Sequence, residues 1–179
     1  MDRKKLLAAA LSIALLCAPA RATNVGGYDN GISFTPTLTV VTYTVGQSMG
    51  GLQTVQVMRT STILSWIFDI FQITSKGGNT GAMTIYIYDT KPIGTCTNAQ
   101  SFVENAADIA KRFMAPFVIT PAVVGSGTSS ATAQLLQVVS GQNHDSPQTQ
   151  NIYVCIVANG SIAVGSVSDL VVKIGGAQD

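Results

Sequence analysis

The chain has 179 residues, 46% of them hydrophobic and only 11% charged, and its ten Lys and Arg nearly balance nine Asp and Glu. Such a length supports one domain with a sizeable core. The basic residues beyond position 22 (Arg59, Lys76, Lys91, Lys111, Arg112 and Lys173) form no stripe that could follow a phosphate backbone, which argues against nucleic acid as a partner.

Residues 1–22 read as a Sec-type signal peptide. Arg3, Lys4 and Lys5 precede an apolar run from Leu6 to Cys17, and Ala20-Arg21-Ala22 is a small-x-small cleavage site before Thr23. An apolar run this short does not cross a bilayer, which takes roughly 20 residues. Leu16 stands where a lipoprotein signal needs a small residue, so Cys17 is not read as a lipid anchor. Cleavage leaves six basic against eight acidic residues, a net of −2. The expectation is therefore an exported chain, periplasmic or secreted, with no membrane span in its mature part. Residues 23–36 read as a flexible N-terminal segment and 37–179 as a single domain.

Short runs rich in Val, Ile, Thr, Tyr and Phe then alternate with turn residues, the pattern of a mostly β domain. LTVVTYTV (38–45) and LQTVQVMR (52–59) are expected strands. In STILSWIFDIFQIT (61–74), strict alternation would place Leu64, Trp66, Phe68 and Ile70 on one apolar face. SKGGNTG (75–81) is a turn, and AMTIYIYD (82–89) puts Met83, Ile85 and Ile87 opposite Thr84, Tyr86 and Tyr88. AQSFVENAADIAKRF (99–113) spaces Phe102, Ala106, Ile109 and Phe113 at helical intervals, with Ser101 and Glu104 resembling a capping box. A short helix near 101–112 is expected. FMAPFVIT (113–120) returns to extended chain, its Pro116 suiting an edge strand. GSGTSSATAQ (125–134) reads as a polar loop. LLQVVS (135–140), NIYVCIVA (151–158) and DLVVKIG (169–175) are the last strands, and NGS (159–161) is a tight turn. About eight antiparallel strands with long loops predict a two-sheet sandwich, jelly-roll-like.

GQNHDSPQTQ (141–150) contains the one histidine, His144, beside Asp145 and Ser146. Three adjacent residues do not converge as nucleophile, base and orienting acid, because neighbours on an extended chain point apart. The stretch reads as an exposed loop, and no enzyme is expected. Glu104 and Asp108 sit one helical turn apart and read as a solvated helix face. Asp29 and Asn30 fit a common turn, and Gly125 and Gly127 lack the strand–turn–helix setting of a phosphate loop. No metal site or cofactor is expected. Tyr86, Tyr88 and Trp66 could serve as aromatic platforms for a glycan, although aromatics at strand spacing more often pack inside.

Cys96 and Cys155 remain after cleavage. In an oxidising compartment they are expected to form a disulfide, pinning the loop after residue 89 to the sheet. The alternative is a small apolar core residue at 155 and a loop thiol at 96.

YTVGQSMGGLQTV (43–55), STILSWIFDIFQI (61–73), GAMTIYIYDTKP (81–92), FVENAADIAK (102–111) and VSDLVVKIGGAQD (167–179) occur in that order. Together they resemble small phage-type virion structural proteins, over about residues 43–179. The resemblance implies a non-enzymatic decoration or tail-associated β module, one that forms homo-oligomers or joins other surface or virion proteins. A signal peptide and a cysteine pair depart from a particle built in the cytoplasm, and suggest an exported relative of such a module. A secreted carbohydrate-binding or adhesin-like β-sandwich module is the alternative reading.

Overall fold

A computed structural model describes residues 31–58, 65–140 and 150–178. The described chain forms eleven strands and one helix. In order they are β1 (Ile32–Phe34), β2 (Thr42–Tyr43), β3 (Gln53–Met58), β4 (Ser65–Ser75), β5 (Met83–Tyr88), α1 (Ala106–Ile109), β6 (Phe117–Ile119), β7 (Ala122–Gly125), β8 (Thr128–Ser140), β9 (Gln150–Ala158), β10 (Ile162–Ala163) and β11 (Leu170–Gln178). One sheet has the order β1-β11-β4-β8-β7, the other β3-β9-β5-β6, and β2 pairs with β10 as a small ribbon. Every pairing is antiparallel.

Eight of these strands carry the architecture. Setting aside β2, β7 and β10, the first strand pairs with the eighth (β1·β11), the second with the seventh (β3·β9), the third with the sixth (β4·β8) and the fourth with the fifth (β5·β6). A long antiparallel ribbon wound on itself in this way is a jelly roll, a double-sheet arrangement of eight strands. The expected sandwich of about eight strands is therefore present, with three short strands added.

The two sheets enclose one apolar core. Phe68, Phe71 and Ile73 of β4 and Val172 and Ile174 of β11 face Ile85 and Ile87 of β5 and Val154 and Ile156 of β9. The rings of Phe71 and Phe117 meet edge-on across the gap at 5.6 Å. This core is the largest favourable term in folding, at roughly 1.5–3 kcal/mol for each fully buried aliphatic or aromatic side chain.

Several elements differ from their sequence reading. The expected single face through Phe68 and Ile70 is broken by a bulge, where register shifts between those two residues. The extra residue inverts the parity, so Phe71 and Ile73 follow Phe68 into the core while Ile70 turns outward. Residues 125–134 are a hairpin rather than a loop, running from β7 through a Ser126-Gly127 turn into β8. Their alternation is real but made of small residues: Ala131, Ala133 and Leu135 pack on the core, while Ser130, Thr132 and Gln134 lie on the opposite parity. Residues 38–45 contribute only β2, because Leu38 and Tyr43 are buried as plugs while Val40, Val41 and Val45 stay exposed. The end of the segment read as flexible, Ile32–Phe34, is β1.

Candidate functional site

The most elaborate polar arrangement lies on the outer face of the β3-β9-β5-β6 sheet. Met83, Ile85 and Ile87 point to the core, so Tyr86 and Tyr88 point outward, and register sets Cys155 opposite Tyr86 and Tyr153 opposite Tyr88. This outward face is not left to solvent. Residues 89–116 fold back over it as a clasp. The disulfide Cys96–Cys155, with Cα atoms 6.2 Å apart, pins one end. At the other end Asp89 N donates to Lys111 O at 3.0 Å and Phe113 N to Ile87 O at 2.8 Å. Leu52 N donates to Cys96 O at 2.9 Å, which ties the clasp to the glycine-rich segment before β3.

Two carboxylates organise the clasp. Asp108 is fully buried. It accepts hydrogen bonds from Ile93 N (2.8 Å), Gly94 N (2.7 Å), Asn105 N (3.3 Å) and Lys111 Nζ (3.0 Å). Burial opposes its charge, but these donors outweigh burial and hold the carboxyl below the usual carboxylate range. Gly94 is required by this approach, because a Cβ there would lie 2.3 Å from Val103 O and 3.0 Å from Asp108 Oδ2. Glu104 pairs with Arg112, whose Nε donates to Oε1 at 2.7 Å and whose Nη2 contacts Oε2. The Arg112 hydrogen bonds are the main reason that Glu104 titrates below its ordinary value. Tyr88 Oη donates to Glu104 Oε1 at 2.9 Å. Burial, then Glu104, pushes the Tyr88 hydroxyl well above its ordinary value, so it stays a neutral donor.

These findings correct three expectations. Glu104 and Asp108 are not a solvated helix face; both are acceptors inside the clasp. The helix is only one turn, α1, and its capping box uses Asn105 and Asp108 rather than Ser101 and Glu104, with Ala107 N donating to Asn105 Oδ1 at 3.0 Å. Tyr88 offers no open ring to a glycan, because it is fully buried, and Tyr86 is half-buried, packing against Phe102 at 4.5 Å with the Arg112 guanidinium 5.8 Å from its ring. The Trp66 side chain, His144, Asp145, Ser146, Asn30 and Asp29 lie outside the described residues. Gly125 and Gly127 flank the turn between β7 and β8.

Sequence reasoning missed a second buried carboxylate. Asp169 accepts from Ser75 Oγ (3.1 Å), Asn79 Nδ2 (2.7 Å) and Gly77 N, joining the turn after β4 to the start of β11. Its only signal in the sequence is a Ser-Asp pair just before an apolar run. In both carboxylate clusters each described acceptor faces a fixed donor, so neither supplies a free base or nucleophile. Among the described residues no three His, Cys, Asp or Glu gather as metal ligands, and no helix is long and apolar enough to cross a membrane.

A different feature lies on the edges. β6 and β7 end the two sheets on the same side of the sandwich, joined only by Thr120 and Pro121. Val118 on β6 is 55% exposed, and Val123 and Val124 on β7 are 66% and 65% exposed. From Phe113 to Asn143 the sequence holds no charged side chain.

No family model matches the chain, and no curated protein matches its sequence. Among solved structures it is similar to a chain in the full particle of Israeli acute paralysis virus, at 12% identity over 90% of this chain and 73% of that one, with a TM-score of 0.37. It is also similar to a chain of the native Kashmir bee virus virion, at 7% identity over 83% and 68% of the two chains, with a TM-score of 0.32. A marine algae virus of the order Picornavirales gives 8% identity over 83% and 66%, with a TM-score of 0.27. TM-scores this low carry no argument, and the jelly-roll architecture rests on the chain's own strand order.

Proposed function

We propose that this protein is a non-enzymatic structural module, exported by its N-terminal signal, that self-associates through the open edges of its sandwich. The observation that carries the reading is the uncharged edge formed by β6 and β7, with Val118, Val123 and Val124 exposed. Edge strands of monomers are commonly guarded by lysine or an inward-pointing charge, and this edge has neither. An uncharged strand meets an identical copy without like-charge opposition, and antiparallel pairing of the two generates a closed twofold contact. The occupant is therefore a second copy of this chain. A standard contact buries about 800 Å² per partner, which requires β6, β7 and their flanking loops together. The phage-type sequence resemblance agrees with such a role and extends the reading to a virion-like decoration module.

Light scattering across a concentration series tests this. The protein is expected to form dimers or larger assemblies, and Val123→Lys with Val124→Lys is expected to shift it to monomer while its far-UV circular dichroism is unchanged. A wild-type protein that stays monomeric at millimolar concentration rejects the proposal, as does an oligomer that ignores both lysines.

A further inference from the structure

The outer face of the other sheet carries a depression that self-association does not use. Register aligns Ser33, Lys173, Gln72 and Thr132 on one rung across β1, β11, β4 and β8. Their neighbours along each strand, Phe34, Val172, Ile174, Phe71, Ile73, Ala131 and Ala133, pack on the core, so the rung faces outward. On the next rung Gly175 stands opposite Ile70, beside the bulges of both strands. Gly175 brings no side chain, and the gap opens a cavity of about 190 Å³ lined by Ile70, Gln72, Thr132, Lys173 and Gly175. Ile70 points away from the core yet is only 9% exposed, and it lines this cavity.

We propose that this depression binds a single carboxylate-bearing sugar unit of the uronic acid class. Its volume falls below the roughly 300–1,000 Å³ of pockets for drug-sized ligands, which limits the occupant to about one ring. Ile70 and the Gly175 backbone form an apolar floor for the C–H face of a pyranose. The Gln72 amide, one of whose N–H groups also donates to Ser130 Oγ at 3.4 Å, and the Thr132 hydroxyl supply both donors and acceptors to ring hydroxyls. Lys173 has no ion pair among the described residues, whereas Lys111 and Arg112 are committed to Asp108 and Glu104. Its ammonium offers three donors to a carboxylate, a charge-assisted contact stronger than a neutral one. This site is separate from the β6–β7 edge, so its failure and the failure of self-association are read independently.

The test is a protein-observed NMR titration with sodium glucuronate, methyl glucoside and sodium acetate in parallel. Glucuronate is expected to shift the amides of Ile70, Gln72, Thr132, Lys173 and Gly175 and to saturate. Lys173→Ala is expected to weaken it about tenfold, and Thr132→Val to weaken it less, with both spectra otherwise preserved. An absence of saturable shifts at these amides overturns the proposal, and so does binding that Lys173→Ala leaves unchanged. Acetate binding as tightly as glucuronate overturns the sugar assignment, and methyl glucoside binding as tightly overturns the role given to the carboxylate.

Discussion

At the scale of single residues, the clasp depends on ionised Asp108 and Glu104. Both carboxyls titrate below their ordinary values in the folded protein. A carboxyl depressed on folding contributes stability that is fully present above its unfolded pKa, about 4, and that disappears as pH falls through the folded value. The protein is therefore expected to be insensitive to pH between about 6 and 8 and to lose stability progressively below about pH 4. Urea unfolding at several pH values checks this. Asp108→Asn is expected to cost about 2–3 kcal/mol at neutral pH, because it weakens the acceptor for three backbone N–H groups and strands part of their hydrogen bonding in a buried site. The same variant is expected to flatten the acid limb of the profile. An unaltered acid limb would show that the ionisation of Asp108 does not set it.

At the scale of elements, the clasp is fastened at one end by a covalent bond and at the other by backbone pairing with β5. The disulfide joins residues 59 apart in sequence. Chain entropy puts a closed loop of that length at roughly 4 kcal/mol, and disulfides typically deliver about 2–4 kcal/mol. Reduction is expected to lower the stability by that amount without unfolding the protein at 25 °C, since the Asp108 and Glu104 networks still hold residues 104–113. Denaturant melts with and without reductant measure the difference. The element scale is also where the sequence was only partly legible. β5 was readable because Met83, Ile85 and Ile87 alternate with larger polar-tipped residues. The N-terminal half of β8 was not, since its inward residues are alanines that carry almost no hydrophobic contrast against Ser, Thr and Gln. The bulge in β4 was hidden for a different reason: an inserted residue changes which parity is apolar, and both parities there contain large apolar side chains.

At the scale of the whole molecule, the jelly-roll winding makes most pairings long-range. β1 at residue 32 pairs with β11 at residue 174, and β3 at residue 53 with β9 at residue 154. Loop-closure entropy must be lost before such contacts are gained, so the main refolding phase of the oxidised protein is expected in the range of about milliseconds to seconds. Stopped-flow fluorescence or far-UV circular dichroism measures it, and a microsecond phase would contradict the nested topology as the rate-setting feature. Among the described residues, the same winding leaves the outer edges of β6 and β7 without a strand partner on one side. The open edge is thus a property of the complete topology rather than of either strand.

The β class, the approximate number of strands and the cysteine partnership could be read from the sequence, because each rests on local composition or on the presence of just two cysteines after residue 22. Period-2 patterning, turn residues and residue type are written in adjacent positions. The strand order, the burial of Asp108 and Asp169 and the covering of Tyr86 and Tyr88 could not be read in that way. Each arises only when segments tens of residues apart are brought together, as when residues 89–116 fold over β5 and β9. A carboxylate becomes a structural acceptor, and a tyrosine ceases to be a binding platform, through what the fold places against it.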